Sequence, residues 1–282
     1  MGLRKSVNMS LFAMSLSDLI GLTFQIWHNF CQNPYLENTD IPVDFMTVQI
    51  LTAGCPNIAM TRITCWITMY ITAERCLSVL VPFKVQRILT FRRTLIILML
   101  IYSINLSFFL PIYAADYLSW KYFPSLNMTK ISIYRWDNIA TINVLLDMSH
   151  LTLSVIAFVF VVAFTSILVV IMKKSSKWRA TVTFSKHQNE AQPRRENKTI
   201  GMVVLVATVL IVCYTPGVTC SLIRTVSPEF NLFAQQVNLY HVIWSFCFLF
   251  HSINSSLSVI VYYKKSSKYR NTFQELFPAF KS

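Results

Sequence analysis

Two adjacent opposite charges, Glu74 and Arg75, lie near the end of a long apolar stretch of the sequence. An ionisable residue at the edge of hydrocarbon is costly unless it is paired, so such a pair commonly belongs to a functional site. Charge pairing that can be made and broken is the chemistry that these side chains offer. The alternative is an arginine that extends into lipid headgroups, beside a glutamate without a role.

Two more ionisable residues, Asp18 and Arg62, stand inside apolar stretches. A buried carboxylate such as Asp18 needs a cation, a proton or several hydrogen-bond donors. Arg62 could receive an acidic ligand or a peptide carboxylate, or could form a structural pair with a carboxylate on a neighbouring helix, for which Asp147 is the candidate. The sequence contains no metal-ligand spacing, nucleophile elbow or phosphate loop, so neither an enzyme nor a metal site is predicted.

The elements that position these residues are apolar stretches long enough to cross a bilayer. The chain has 282 residues, of which 54% are hydrophobic and 13% charged, whereas roughly a quarter of the residues of a soluble domain are charged. Stretches of the required length, about 20 residues, occur near 8–27, 56–80, 94–115, 148–172, 199–224 and 238–263. Because a lone strand cannot satisfy its backbone in lipid, all six are predicted to be helices.

The predicted fold is all-α, a polytopic membrane helix bundle over residues 1–263 followed by a cytoplasmic amphipathic helix and tail over 264–282. Most of the 25 Lys and Arg residues lie at the N-terminus and in 84–93, 173–198 and 264–281. Such segments stay in the cytoplasm, which predicts a multi-pass plasma-membrane protein with an inner C-terminus. The charge of +13 thus indicates topology rather than nucleic-acid binding.

The predicted outer side carries two modification candidates. Asn127-Met128-Thr129 matches the acceptor pattern for N-glycosylation. Cys31 and Cys55 are the two cysteines expected in oxidising space, where a disulfide between them and two free thiols are equally compatible with the sequence.

The ordered motifs of the chain resemble those of rhodopsin-like (class A) G-protein-coupled receptors, in particular divergent invertebrate chemosensory and neuropeptide-type receptors. The motifs are Ser15-Leu16-Ser17-Asp18-Leu19 for the family's second helix, Glu74-Arg75-Cys76 for its third, Cys213-Tyr214-Thr215-Pro216 for its sixth and the run from Asn254 to Tyr262 for its seventh. Tyr214 replaces the usual Trp, and Ser258 and Val259 replace the usual Asn and Pro. The family's first helix is missing from this reading, for which a truncated gene model or a fragment is the simplest explanation.

This resemblance implies a receptor that binds an extracellular chemosensory or peptide ligand and activates a heterotrimeric G protein through Glu74-Arg75-Cys76. Glu196 is expected to hold Arg75 across the bundle and to release it on activation, with Tyr262 as a further switch residue. Cys213, Tyr214 and Pro216 are expected to form a helix-kink switch, because proline removes a backbone hydrogen bond.

The resemblance also implies two internal sites. One is a sodium or polar core, formed by Asp18, Thr64, Asn254, Ser255 and Ser258; mutual satisfaction of these polar groups without an ion would explain the same residues. The other is a ligand pocket, formed by Asn57, Arg62, Tyr214, Ser221 and Phe248. Family members usually tie the outer end of the third helix to the second outer loop by a disulfide, which cannot form here because residues 116–146 contain no cysteine.

Two other function classes compete with a signalling receptor. A membrane transporter would use broken helices and internal repeats, but the chain has five glycines and no visible repeat. A truncated non-signalling pseudo-receptor would account for the missing first helix and the altered last one.

Overall fold

The computed structural model describes residues 6–37, 39–81, 84–85, 87, 89–124, 126–135, 139–182, 191–227, 229–230, 235–265 and 267–277. Its long helices are α1 (Ser6–Cys31), α4 (Cys55–Leu80), α5 (Phe91–Ser107), α7 (Ile139–Val182), α8 (Ala191–Val226) and α9 (Val237–Lys265). Its short helices are α2 (Pro34–Glu37), α3 (Phe45–Gln49), α6 (Leu110–Ala115) and α10 (Ser267–Leu276), and its strands are β1 (Asp116–Phe123) and β2 (Met128–Arg135).

The predicted all-α polytopic bundle is confirmed. Within the described residues, five helical stretches are long and apolar enough to cross a membrane: 8–31, 91–115, 148–174, 200–226 and 238–264. The remaining predicted span, 56–80, corresponds to α4. This helix has 26 residues, or about 39 Å at 1.5 Å per residue, but it is not among the five because polar residues, Arg62 among them, lower its hydropathy.

α4 is the central helix of the bundle and packs against α1, α5, α7 and α8. Ile63 and Ile67 in its middle are completely buried, and they join residues such as Met14 of α1 and Leu98 of α5 in the largest apolar cluster. Surrounding helices remove the polar residues of α4 from lipid, which explains how a span with a buried arginine is accommodated.

α4 begins with a change of helix type. Residues Ile50–Gly54 form a π-helical turn, in which the Cys55 amide donates to the Ile50 carbonyl. Pro56 is the second residue of α4. Because proline has no amide hydrogen, it cannot donate the backbone hydrogen bond that an α-helix would otherwise make at this position. The Tyr113 hydroxyl donates to the Leu51 carbonyl at 2.8 Å, so a side chain satisfies part of the irregular backbone.

The loop after α6 contains a β-hairpin, which the all-α prediction did not include. β1 and β2 pair antiparallel, from Asp116 opposite Arg135 to Phe123 opposite Met128. The hairpin is docked on the preceding outer segment, since the Ile131 amide donates to the Pro42 carbonyl at 2.9 Å. Most of β1 is solvent-exposed, so the strand lacks the alternation of buried and exposed residues that identifies a strand in sequence.

Side chains reinforce this docking. The Ser132 hydroxyl donates to Asp44 Oδ2 at 2.8 Å, the Thr47 hydroxyl donates to the same oxygen at 2.7 Å, and the two hydroxyls lie 2.9 Å apart. Asp44, Thr47 and Ser132, which we call the hairpin tether, therefore hold β2 to the start of α3 without a covalent bond.

Two further differences concern helix ends. The predicted third span, 94–115, is divided between α5 and α6, and Pro111 lies in the first turn of α6, where proline is well tolerated. α8 continues through Pro216, and the Thr215 hydroxyl donates to the Ile211 carbonyl at 2.7 Å. α10 places Tyr269 against Tyr262 and Phe273 against Tyr263 at the end of α9.

Candidate functional site

Two adjoining cavities lie between α1, α4, α7, α8 and α9. The inner cavity, of about 20 Å³, is lined by polar residues that include Ser17, Asp18, Asn57, Thr64, Asn254 and Ser255. The outer cavity, of about 40 Å³, is lined by residues that include Arg62, His150, Ser154, Val218, Ser221 and Trp244. Thr61, Tyr214 and His251 line both, so these residues form the boundary between the cavities.

The inner cavity brings together four of the five residues predicted for a sodium or polar core. The Thr64 hydroxyl donates to Asp18 Oδ1 at 2.9 Å, and Ser255 also hydrogen-bonds the Asp18 carboxylate. Asn254 is buried, and its Oδ1 accepts no hydrogen bond from the described residues. Ser258 does not line this cavity; its hydroxyl donates to the Asn254 carbonyl of its own helix at 3.0 Å.

The oxygens of the inner cavity suit a hard cation. They combine one carboxylate with neutral hydroxyl and amide oxygens, which matches the charge of a monovalent ion. The Asn254 oxygen has no donor in the part of the chain that the structure describes. Among the described residues, no group of three or more His, Cys, Asp and Glu residues could hold a metal ion. The residues present therefore fit sodium better than a divalent metal.

Arg62 occupies the wall of the outer cavity, where it is only 2% exposed. Its Nε donates to Asn105 Oδ1 and its Nη2 to the Asn105 carbonyl, both at 2.7 Å. The guanidinium also lies over the Phe109 ring, 5.1 Å from the centroid. The contacts that the structure shows for Arg62 thus go to neutral groups; the side chain of Asp147, its predicted partner, is outside the described residues.

The predicted pocket residues are divided between different places. Arg62, Tyr214 and Ser221 line the outer cavity. Asn57 lines the inner cavity instead, and its Nδ2 donates to the Gly21 carbonyl at 2.9 Å. Phe248 lies between the rings of His28 and Trp244, with centroid distances of 4.8 and 5.8 Å. It therefore packs against Trp244, which lines the outer cavity.

Tyr214 and His251 make the contact that separates the two cavities. Their ring centroids lie 5.0 Å apart, and the Tyr214 hydroxyl donates to the Thr61 carbonyl of α4. Gly217, one turn along α8, brings its backbone close to the His251 ring, since a Cβ added there would lie 3.5 Å from His251 Nε2. Movement of α8 near Pro216 would therefore change both cavities at once.

The inner end of the bundle contains the remaining switch candidates. Glu74 is 3% exposed and Arg75 is half-buried. Tyr262 is also buried, and its hydroxyl has no hydrogen-bond partner among the described residues. It lines a small cavity with Met14, Thr68 and other residues. Glu196 belongs to α8, but its side chain is outside the described residues, so its pairing with Arg75 stays a prediction.

The structure also describes the residues predicted for a disulfide and for N-glycosylation. Cys31 and Cys55 are both buried, and no disulfide joins them. Asn127 lies at the turn of the hairpin with φ 48°, a backbone conformation that asparagine adopts more readily than most residues. Its Oδ1 accepts a hydrogen bond from the Tyr122 hydroxyl at 2.7 Å.

Residues 3–279 match the model of the family described as serpentine type 7TM GPCR chemoreceptor Srw. The chain belongs to the Srw family. The match confirms the chemoreceptor, multi-pass membrane and receptor interpretations at the level of the family. A search of curated proteins found no match for this Srw chain.

Several residues of the Srw site were not found from sequence. Asn105, Thr61, Trp244 and His251 all contribute to the cavities or to Arg62. A signal existed for Asn105 and His251, because each is a polar residue inside an otherwise apolar span. The helix rotations that bring them to Arg62 and Tyr214 could not be read from one sequence.

Proposed function

We propose that this Srw protein is a chemosensory receptor that binds an extracellular ligand in the outer cavity and activates a heterotrimeric G protein at its inner face. It functions in the plasma membrane with its C-terminus in the cytoplasm. The proposal extends the family assignment to this chain's own residues. Its rhodopsin-like character rests on the sequence motifs named above.

The observation that carries the proposal is the boundary formed by Tyr214 and His251. A ligand in the outer cavity contacts side chains that also line the inner cavity, and Tyr214 is bonded to α4. α4 itself continues without interruption from Thr61 to Arg75. Ligand binding can therefore shift the population between two packings of α8 against α4.

At the inner face, Arg75 is the coupling residue. In the resting arrangement it pairs with Glu196 of α8. In the active arrangement the inner ends of α4 and α8 separate, Arg75 leaves Glu196, and the exposed surface receives the G protein. Tyr262 turns toward this opening, where its hydroxyl finds a partner.

A sodium ion in the inner cavity would stabilise the resting arrangement. Asp18, Thr64, Asn254 and Ser255 would hold it, and the ion would supply the positive charge that a buried carboxylate needs. In its absence the Thr64 and Ser255 hydroxyls still orient Asp18.

Substitution of the proposed coupling residues tests this function. Arg75→Ala should abolish G-protein activation while the receptor still reaches the cell surface, and Glu196→Ala should raise ligand-free activation. Arg92→Ala, which removes an exposed arginine at the start of α5, is the matched control and should leave activation close to wild type. Surface labelling and nucleotide exchange on the G protein measure the two properties; full coupling by Arg75→Ala would refute the assigned role.

A further inference from the structure

The outer cavity contains a buried positive charge whose contacts in the structure are neutral. Asn105 provides both oxygens that accept hydrogen bonds from Arg62, one from its side chain and one from its backbone. These bonds use Nε and Nη2, so Nη1 is the guanidinium nitrogen that is not engaged by Asn105. Among the described residues, no carboxylate hydrogen-bonds Arg62. A buried charge is costly when an opposite charge does not accompany it.

Besides Arg62, the ionisable side chains that line the outer cavity are His150, Tyr214 and His251, and none of these is a carboxylate. Asp18 lines the inner cavity. Within the described residues, the outer cavity therefore favours an anion and disfavours a cationic ligand.

The remaining wall is largely apolar. Ile58, Val218 and Trp244 line it, and the Phe109 ring covers the other side of the guanidinium. The cavity volume is only about 40 Å³, so the space beside Arg62 is narrow. The cavity thus suits one compact apolar group.

We propose that the ligand carries a carboxylate on an apolar body, and that Arg62 binds this carboxylate while Ile58, Val218 and Trp244 surround the body. This inference rests on the proposed receptor function and names the ligand class of its site. Asn105 is a positioning residue, because it orients the guanidinium and leaves Nη1 for the ligand. A small organic acid and the C-terminal residue of a peptide share this chemistry.

Matched pairs of probes test the ligand class. The probes are phenylacetate with phenylacetamide, hexanoate with hexanamide, and a tripeptide ending in Phe with a free or an amidated C-terminus. Signalling in cells and the melting temperature of the purified full chain are measured with each. We expect acids to activate and stabilise the receptor and their amides to do neither, and the peptide pair shows whether a peptide terminus also enters.

Variants locate the effect at Arg62. Arg62→Gln removes the charge, and Asn105→Asp supplies an internal carboxylate that competes with the ligand, so each should raise the half-maximal acid concentration at least about tenfold, as expected for one charge-assisted hydrogen bond. Asn105→Asp is informative because it pairs the buried arginine instead of leaving it unpaired. Lys121→Gln removes an exposed cation of β1 and should leave the acid response unchanged.

Three results would overturn this inference. They are equal responses to acids and amides, an acid response that Arg62→Gln and Asn105→Asp do not weaken, and a wild-type receptor whose signalling and melting temperature no acid of the panel changes. None of these would refute the receptor function, which the Arg75 and Glu196 variants test separately without a ligand.

Discussion

Buried polar atoms without partners are the most informative single-residue feature of this bundle. The Tyr262 hydroxyl and the Asn254 Oδ1 both lack a hydrogen bond within the described residues. Leaving such a group unsatisfied costs about 1–3 kcal/mol. The observed packing therefore contains atoms that an ion, a water molecule or a second arrangement of the helices would satisfy.

Tyr262→Phe removes the unsatisfied hydroxyl and keeps the ring. We expect the free energy of unfolding to rise by about 1 kcal/mol and ligand-driven signalling to fall, because the active arrangement loses the partner that the hydroxyl would find there. Thermal melting of the purified receptor and G-protein activation measure the two effects. Tyr263→Phe is the control, since the Tyr263 hydroxyl accepts a long hydrogen bond, 3.4 Å, from Gln274 Nε2. A Tyr262→Phe receptor that signals more strongly would contradict the proposed role.

The inner cavity predicts which residues control sodium sensitivity. Sodium chloride should stabilise the wild-type receptor against heat more than choline chloride at equal ionic strength. Asp18→Asn and Thr64→Val should abolish this difference. Asp18→Asn removes the negative charge of the proposed site, and Thr64→Val removes one of its ligand oxygens. Ser258→Ala should retain it, since Ser258 bonds to its own helix and does not line the cavity. Loss of sodium sensitivity only in Ser258→Ala would place the ion elsewhere.

At the scale of elements, the sequence predicted the positions of the helices well, but it predicted poorly which residues of different helices meet. Predicted spans such as 8–27 and 199–224 fall inside α1 and α8, because apolar length identifies the membrane-crossing part but not the helix beyond it. Asp18 and Thr64, which a family resemblance grouped together, line the same cavity. Phe248 and Ser258 lie outside the cavities to which the resemblance assigned them, because the rotation of a helix about its axis decides which cavity a residue reaches.

The hairpin tether predicts how the outer segment is stabilised. Ser132→Ala removes a donor from the Asp44 carboxylate and should destabilise hairpin docking by about 1–3 kcal/mol, seen as faster proteolysis of residues 116–135 in intact cells. Ser119 lies opposite Ser132 in the hairpin register, and its hydroxyl makes no hydrogen bond to a described residue, so Ser119→Ala is the matched control. Equal proteolysis of both variants would argue against the tether.

At the scale of the whole molecule, charged residues lie near both ends of the membrane-crossing part of α4. Arg62 lies beside the outer cavity, and Glu74 and Arg75 lie near the end of α4 that the basic loops predict to be inside. The thirteen-residue separation of the two arginines corresponds to about 20 Å along a helix, which is most of the hydrocarbon thickness of about 30 Å. Ligand and G protein would therefore act at opposite ends of one continuous helix.

Glycosylation tests this orientation independently of signalling. Asn127 is exposed at the hairpin turn, so an outward hairpin should carry a glycan that a glycosidase removes with a visible change in mobility. Thr129→Val destroys the acceptor pattern while keeping Asn127 in its turn, and this variant should migrate like the deglycosylated wild type. Identical migration of wild type and Thr129→Val before glycosidase treatment would count against glycosylation at this site.

The non-covalent tether also affects how the receptor can be produced. Residues 116–135 contain no cysteine, and no disulfide joins Cys31 to Cys55, so docking of the hairpin needs no oxidative folding step. Cell-free synthesis or bacterial expression under reducing conditions should therefore yield the same outer face as secretory expression. Dithiothreitol in the assay buffer should leave ligand responses unchanged, which would distinguish this receptor from those whose outer loops depend on a disulfide.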